Sequence, residues 1–154
     1  FSQAQKLIKR LIEKDSNIKL LVVGKKVDVD TGIANNVINT GWLLKTEMHL
    51  AYSISDTTLV PSIYLDPFPT VTLESMRLGV PVIASVYSGA KEAVIDGVTG
   101  FHVNPFDIDD FTNKVLKLLD DDKLYHSMSD RSKKEFEQAF TLEKCVNQYL
   151  DLLI

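Results

Sequence analysis

The fold of this chain is decided by one stretch, Leu59 to Gly100, which reads LVPSIYLDPFPTVTLESMRLGVPVIASVYSGAKEAVIDGVTG. An apolar strand stops at Pro61, because proline cannot donate to the ladder of a central strand. A helix is predicted from Val71 to Leu78, with Thr70 as its N-cap and Gly79 as its terminator. The stretch therefore begins as strand, irregular segment and helix.

A second buried strand follows at Val80 to Ala84, where five apolar residues stand in a row. The next segment, Ser88-Gly89-Ala90, is a loop of small residues at which a bound group can approach the backbone closely. The order of strand, loop, helix, strand and glycine loop is typical of α/β sheets that bind nucleotides.

The remaining chain repeats the same alternation of strands and helices. Helices are predicted over 1–13, 47–54, 107–119, 123–140 and 142–153, with Thr46, Asp107 and Thr141 as N-caps of the second, third and fifth of them. Strands are predicted over 18–23, 37–40 and 101–103, the last at an edge of the sheet. The strand at 18–23 is almost continuously apolar, which is typical of a parallel strand that is covered on both faces. We expect one domain over residues 1–154, an α/β fold with a doubly wound, Rossmann-like parallel sheet.

Composition excludes several function classes. The 154 residues are 45% hydrophobic and 25% charged, with a net charge of −4 and a single cysteine, Cys145. That charge argues against a nucleic-acid footprint, and a lone cysteine without an internal partner favours a cytoplasmic setting. No apolar run reaches the roughly 20 residues of a membrane span.

Glu74 is the unusual residue of the predicted helix 71–78. Helical spacing places it beside Val71 and Leu78, which we expect to face the sheet. A carboxylate next to an apolar stripe is costly unless something binds it. The alternative is a solvated glutamate or one paired with Arg77.

The stretch resembles the donor-site half of family 4 (group 1) glycosyltransferases of the GT-B fold. Their signature has two acids separated by seven residues, followed by a glycine loop with an acid and a D-G-x-x-G-x-x-V tail. Asp66 and Glu74 have that spacing. The glycine loop is matched by Ser88, Gly89 and Glu92, and the tail by Asp96, Gly97, Gly100, Val103 and Pro105.

This resemblance implies a role for each acid. Glu74 matches the acid that accepts hydrogen bonds from the ribose hydroxyls of a nucleotide sugar. Asp66 matches the catalytic acid that contacts the donor sugar near the reacting carbon, where the family usually has glutamate. Glu92 matches the acid after the glycine loop, and a helix-capping role is equally open for it.

Backbone groups complete the implied donor site. Pro69 stands where the family often has glycine and offers no N–H, so backbone contacts to the sugar fall to Phe68, Thr70 or Val71. The helix that begins at Thr70 directs free N–H groups at the donor's pyrophosphate.

The loops after the other strands are expected at the same crevice, beyond the carboxyl ends of the sheet. Gly41, Trp42 and Leu43 match the segment that lines the nucleobase pocket, where Trp42 either stacks or packs. Gly24 and the Ser88-Gly89 pair also follow predicted strands, so we expect them to bind the same substrate.

The implied reaction is hexosyl transfer, with retention, from a UDP- or GDP-linked sugar to an acceptor hydroxyl in polysaccharide or glycolipid synthesis. The resemblance implies no cofactor and no metal. It also implies an N-terminal acceptor domain, with the first strand and phosphate-binding cations before residue 1, and peripheral contact of the full enzyme with the inner face of a membrane through that domain. The present chain alone is then expected to be inactive, and helix 141–154 is a candidate crossover to the other domain.

Other functions remain open from the residues. One is a non-catalytic module that binds sugar nucleotides, and another is an epimerase or phosphorylase on the same fold. A glycosidase is disfavoured, because Asp66 and Glu74 lie on one connected loop and helix instead of facing each other across a bond. The triplet Asp120-Asp121-Asp122 is interpreted as a helix cap in preference to a metal site.

Overall fold

The computed structural model describes residues 1–152 of the chain. It contains five strands, seven α-helices and a 3-10 helix within that range. In chain order they are α1 (Ser2–Ile12), β1 (Leu20–Val23), the 3-10 helix (Thr31–Asn36), β2 (Val37–Gly41), α2 (Lys45–Ser53), β3 (Thr58–Val60), α3 (Thr70–Arg77), β4 (Val82–Ser85), α4 (Ala90–Ala93), β5 (Gly100–Val103), α5 (Ile108–Asp120), α6 (Asp122–Ala139) and α7 (Leu142–Asp151).

All strand pairs are parallel, as the sequence predicted, but they form two sheets. β1 pairs with β2, with Leu20 opposite Val37. β3, β4 and β5 form a second sheet in that order, in which Thr58 lies opposite Val82 and Val82 opposite Gly100. β5 is an edge strand of the second sheet, as expected for residues 101–103.

One hydrophobic core joins the two sheets. α1 and α5 contribute buried side chains such as Leu7, Leu11 and Phe111, and β4 contributes Ile83. Leu20 of β1 packs against the same cluster, so both sheets share one layer of helices. A second cluster, built on Met76 and β4, lies beneath α3 and α6.

Two predicted helix caps are wrong. Pro69, not Thr70, is the N-cap of α3, and no side chain caps that end. Proline fits there because its fixed φ and missing N–H cost nothing at a helix start. The N-cap of α2 is Leu44 instead of Thr46, and its N–H donates to the Glu47 carboxylate at 2.6 Å.

The prediction for the buried face of α3 is also wrong. Thr72, Ser75 and Met76 face the core, while Val71 is 40% exposed and Glu74 is exposed. The polar Ser75 is tolerated in the core because its hydroxyl donates to the Val80 carbonyl at 2.9 Å and its oxygen lies 2.8 Å from the Thr58 hydroxyl oxygen. The spacing of the apolar residues therefore predicted the wrong buried face for this helix.

The acidic junction behaves as a helix cap. Asp121 is the N-cap of α6 and accepts from the Leu124 N–H at 3.0 Å. α7 begins where Thr141 accepts from the Lys144 N–H, and it has no buried residue. Leu153, assigned to this helix from the sequence, lies outside the described residues. Among residues 1–152, no helix is both long enough and apolar enough to cross a membrane.

Candidate functional site

The carboxyl ends of β1 and β2 meet at one point. Gly24 N–H donates to the Gly41 carbonyl at 2.8 Å, and both glycines have positive φ angles, 110° and 75°. The ring of Trp42 lies against Gly24 and is 85% exposed. This corner therefore presents an open aromatic face, and the contact of Trp42 with a nucleobase stays a prediction.

The carboxyl ends of β3 and β4 meet at a second point. The loop after β3 carries Asp66, and the loop after β4 carries Gly89. The backbone carbonyl of Asp66 accepts a hydrogen bond from the Gly89 N–H at 2.7 Å. A Cβ atom at residue 89 would overlap the backbone carbonyl of Pro67, so only glycine permits this approach. The structure thus brings the first acid and the glycine loop of the sequence motif into direct contact.

The loop that carries Asp66 is anchored by its aromatic neighbour. Phe68 packs against the second core cluster and lies 6.1 Å from Phe140, centroid to centroid. Its side chain is therefore structural, and only its backbone N–H remains for a ligand. The Asp66 carboxylate is half-buried and forms no hydrogen bond or ion pair with residues 1–152.

Ser88 is held inside its own loop. The residue is 1% exposed, and its hydroxyl accepts from the Ala90 N–H at 3.3 Å. Its oxygen also lies 3.4 Å from the Ser85 carbonyl. The Ser88 hydroxyl is therefore occupied within the loop. A contact of Ser88 with the substrate stays a prediction, and only its backbone remains for it.

Glu74 is held by a tyrosine that the sequence did not identify. The hydroxyl of Tyr52, in α2, donates to the Glu74 Oε2 atom at 3.0 Å. Burial raises the pKa of the Tyr52 hydroxyl above its ordinary value, and the neighbouring Glu74 charge raises it further. In the part of the chain described, Glu74 forms no ion pair with Arg77.

Tyr52 could not be found by spacing, because it precedes Glu74 by 22 residues. It is 7% exposed and sits in a helix whose other buried residue is Ala51. The signal in the sequence is the tyrosine itself, whose hydroxyl usually needs a partner when the ring is buried.

The other matched residues lie at the end of the glycine loop. Glu92 is exposed in the single turn of α4, and no capping bond of its side chain is seen among the described residues. Asp96 accepts from the His102 N–H at 2.7 Å and stabilises the turn before β5. The tail motif is therefore structural at Asp96.

No cluster of three His, Cys, Asp or Glu side chains suited to a metal ion occurs within residues 1–152. A cavity of about 590 Å³ lies between the two sheets and is not lined by Asp66 or Glu74. At the rim, Thr70 and Val71 at the start of α3 are exposed residues.

The comparisons with known proteins agree on a family. Residues 1–135 match the family model described as glycosyl transferases group 1. A lipopolysaccharide 1,2-N-acetylglucosaminetransferase of Salmonella typhimurium is 31% identical over 92% of this chain and 41% of its own length. A capsular polysaccharide biosynthesis glycosyltransferase of Staphylococcus aureus, CapM, is 28% identical with the same coverage. The chain thus spans about two fifths of these relatives.

Solved structures agree on the fold. A sucrose-phosphate synthase of Thermosynechococcus elongatus superposes with a TM-score of 0.84 at 23% identity, covering 98% of this chain and 41% of that one. HepE of Anabaena in complex with UDP gives 0.82 at 20% identity, covering 98% and 45%. The C-terminal domain of a group 1 glycosyl transferase, LpcC, of Francisella tularensis gives 0.78 at 19% identity, covering 91% and 78%.

The parallel strands, the loops that meet at their carboxyl ends and these matches lead to one assignment. The fold is that of the C-terminal domain of GT-B glycosyltransferases, and the chain belongs to the group 1 glycosyltransferase family.

Proposed function

We propose that this chain is the donor-binding half of a retaining family 4 glycosyltransferase that transfers a hexose from a UDP- or GDP-linked sugar to an acceptor hydroxyl. The observation that carries the proposal is the contact between the Asp66 loop and Gly89, which gathers the acid and the glycine loop at one rim. Relatives named for lipopolysaccharide and capsular polysaccharide synthesis support a polysaccharide or glycolipid product.

Glu74 is proposed to bind the ribose hydroxyls. Tyr52 occupies its Oε2 atom, whereas Oε1 accepts no hydrogen bond from the described residues. An exposed carboxylate held in one orientation suits a vicinal diol, because each hydrogen bond to a charged group contributes about 1.5–3 kcal/mol. That corresponds to a loss of roughly ten- to a hundredfold in affinity when one such bond is removed.

Asp66 is proposed to contact the donor sugar near the carbon that reacts. Its carboxylate is half-buried and unengaged by residues 1–152, so it is available to a sugar hydroxyl. The adjacent N–H groups of Thr70 and Val71 begin α3 and have no intrahelical acceptor, which suits the donor's diphosphate. Catalysis would then rest on positioning and on stabilising the departing diphosphate.

The proposed chemistry uses no metal and no cofactor. The residues at the rim supply one carboxylate for the sugar, one for the ribose and backbone N–H groups for the phosphates. The chain spans only about two fifths of its relatives, so we expect it alone to bind a donor weakly, with a dissociation constant on the order of 1 mM, and to turn none over.

The test uses Trp42, the single tryptophan, which lies exposed where the nucleobase is proposed to bind. UDP, GDP and UDP-glucose are titrated into the chain while Trp42 fluorescence is followed. We expect saturable quenching by one of the two nucleotides, weakened at least tenfold by Glu74→Gln. The matched control is Glu137→Gln, an exposed glutamate of α6. Absence of saturable quenching, or equal affinity in Glu74→Gln, contradicts the proposal.

A further inference from the structure

The segment that carries Asp66 has few contacts of its own. Residues 61–69 contain no helix or strand, and Leu65 within them is 89% exposed. The side chains of this segment form no hydrogen bond or ion pair within the described range 1–152. The bond from the Gly89 N–H to the Asp66 carbonyl ties the centre of the segment to the loop after β4. That bond fixes one peptide plane and leaves the neighbouring side chains to be oriented by packing.

Phe68 supplies the second anchor of this segment. It is half-buried against the second core cluster, and its ring lies 6.1 Å from the ring of Phe140, with an angle of 40° between the two planes. Aromatic rings at this separation stabilise each other. Only Pro67 stands between Phe68 and Asp66, and the φ angle of a proline is fixed by its ring. The position of the Phe68 ring is therefore transmitted to Asp66 through a stiff link.

Phe140 is held in place because it ends a long, anchored helix. α6 spans Asp122–Ala139, and the buried hydroxyl of its Ser132 donates to the Thr99 carbonyl at 2.8 Å. The Phe140 N–H donates to the Phe136 carbonyl at 2.9 Å, which closes the last turn of the helix. The ring is therefore presented by a helix end that the core holds in position.

The nucleotide half of the proposed site is held by other contacts. The Tyr52 hydroxyl, from α2, donates to the Glu74 carboxylate at 3.0 Å. α3 itself is fixed to the core by Ser75, whose hydroxyl donates to the Val80 carbonyl at 2.9 Å. Neither bond involves Phe140, so loss of the Phe140 ring should leave Glu74 in place.

We infer that Phe140 is a positioning residue for Asp66. Its ring fixes Phe68 and, through Pro67, the carboxylate that is proposed to contact the donor sugar. Phe140 therefore sets the affinity for the sugar part of the donor and leaves the affinity for the nucleotide part to groups such as Glu74. This role rests on the proposed function, because it requires Asp66 to face the sugar.

The experiment compares substitutions at two phenylalanines near the end of α6. Phe140→Ala removes the ring beside Phe68, Phe140→Leu removes the ring but keeps most of the volume, and Phe140→Tyr keeps the ring. The matched control is Phe136→Leu, because Phe136 is half-buried against the same cluster and its ring is not paired with Phe68 in the described structure.

Two measurements are made on each chain. Amide hydrogen exchange of Gly89 is followed without ligand, and the amide of Ile83 in β4 serves as the reference for loss of overall stability. Binding of UDP, UDP-glucose, GDP and GDP-mannose is followed by the fluorescence of Trp42.

We expect Phe140→Ala and Phe140→Leu to speed exchange of the Gly89 amide at least tenfold relative to Ile83, because its acceptor on Asp66 is no longer held. The dissociation constant of the sugar nucleotide, divided by that of the free nucleotide, should rise roughly fivefold, as expected when one hydrogen bond to the sugar is weakened. The dissociation constant of the free nucleotide should change less than about twofold. Phe140→Tyr and Phe136→Leu should match the parent chain in both measurements.

Unchanged Gly89 exchange in a folded Phe140→Leu chain would overturn the inference. So would an unchanged ratio of the two dissociation constants, or the same change of ratio in Phe136→Leu, because the ring would then act on stability alone. A parent chain that binds none of the four ligands would contradict the proposed function and, with it, the effect on the sugar. Gly89 exchange needs no ligand, so it decides separately whether Phe140 holds the loop.

Discussion

At the scale of single residues, two glycines illustrate different physical demands. Gly89 has an ordinary helical φ of −65°, but a side chain there would overlap the Pro67 carbonyl. Gly97 has a φ of 73°, yet nothing lies within 4 Å of a Cβ built on it. The first glycine is required by crowding between loops, and the second by backbone conformation.

This contrast predicts different outcomes for two alanine substitutions. Gly89→Ala should lower the free energy of unfolding by about 1–3 kcal/mol and weaken donor binding, because the loops of Asp66 and residue 89 must separate. Gly97→Ala should cost about 1–2 kcal/mol through strain and leave donor binding unchanged. Urea denaturation and donor titration measure both. Normal binding by a folded Gly89→Ala chain would show that the loop contact is not part of the site.

The bond between Tyr52 and Glu74 predicts a pH dependence of stability. The folded-state pKa of Tyr52 is raised above its ordinary value of about 10. The unfolded chain therefore loses this proton at a lower pH than the folded chain does. The contribution of the Tyr52 hydroxyl to the free energy of unfolding is complete below pH 10 and is lost as the pH rises further. Burial also raises the pKa of Tyr125, which adds a similar loss of stability at high pH.

Between pH 10 and 12, the free energy of unfolding of Tyr52→Phe should fall less steeply than that of the parent chain, because phenylalanine has no proton to lose. Tyr149→Phe, which alters a 67% exposed tyrosine, serves as the control and should follow the parent. Urea denaturation at several pH values measures the slopes. Parallel slopes for Tyr52→Phe and the parent would contradict the assigned environment of this hydroxyl.

At the scale of elements, local signals predicted several boundaries correctly, although the predicted caps of α2 and α3 were wrong. Asp107 accepts from the Asp110 N–H as the N-cap of α5, as the sequence indicated. The sequence also predicted correctly that β3 ends before Pro61 and that α3 ends before Gly79, because proline and glycine act locally on the backbone. The buried face of α3 was not, because hydrogen bonds from Ser75 to distant groups decide which side packs.

The adjacent residues Asp120 and Asp121, between α5 and α6, provide a matched pair of substitutions that tests the helix cap. Asp121→Ala should lower the free energy of unfolding by about 1 kcal/mol, because it removes the bond to the Leu124 N–H. Asp120→Ala alters the last residue of α5, and no capping bond of its side chain is seen in the described structure, so it should change stability by less than about 0.5 kcal/mol. Thermal or urea unfolding compares them, and equal effects would contradict the capping assignment.

At the scale of the whole molecule, the sequence predicted parallel strands, helical layers and a rim of loops, because apolar runs and helix periods are local patterns. It could not predict that β1 and β3 are separated, since strand order depends on packing between distant segments. The same holds for the Tyr52–Glu74 bond, which requires α2 and α3 to be side by side. The donor contacts of Gly24, Gly41, Leu43 and the other rim residues stay predictions.

The central claim is that the rim carrying Asp66 and Glu74 binds a nucleotide sugar. A titration of the ¹⁵N-labelled chain with UDP-glucose and GDP-mannose, followed by amide chemical shifts, tests it most directly and remains informative at millimolar affinity. The account predicts that one donor shifts the amides of Trp42, Thr70, Val71 and Gly89, and that Glu74→Gln abolishes these shifts. Shifts confined to residues lining the space between β1 and β3, or unchanged shifts in Glu74→Gln, would contradict it.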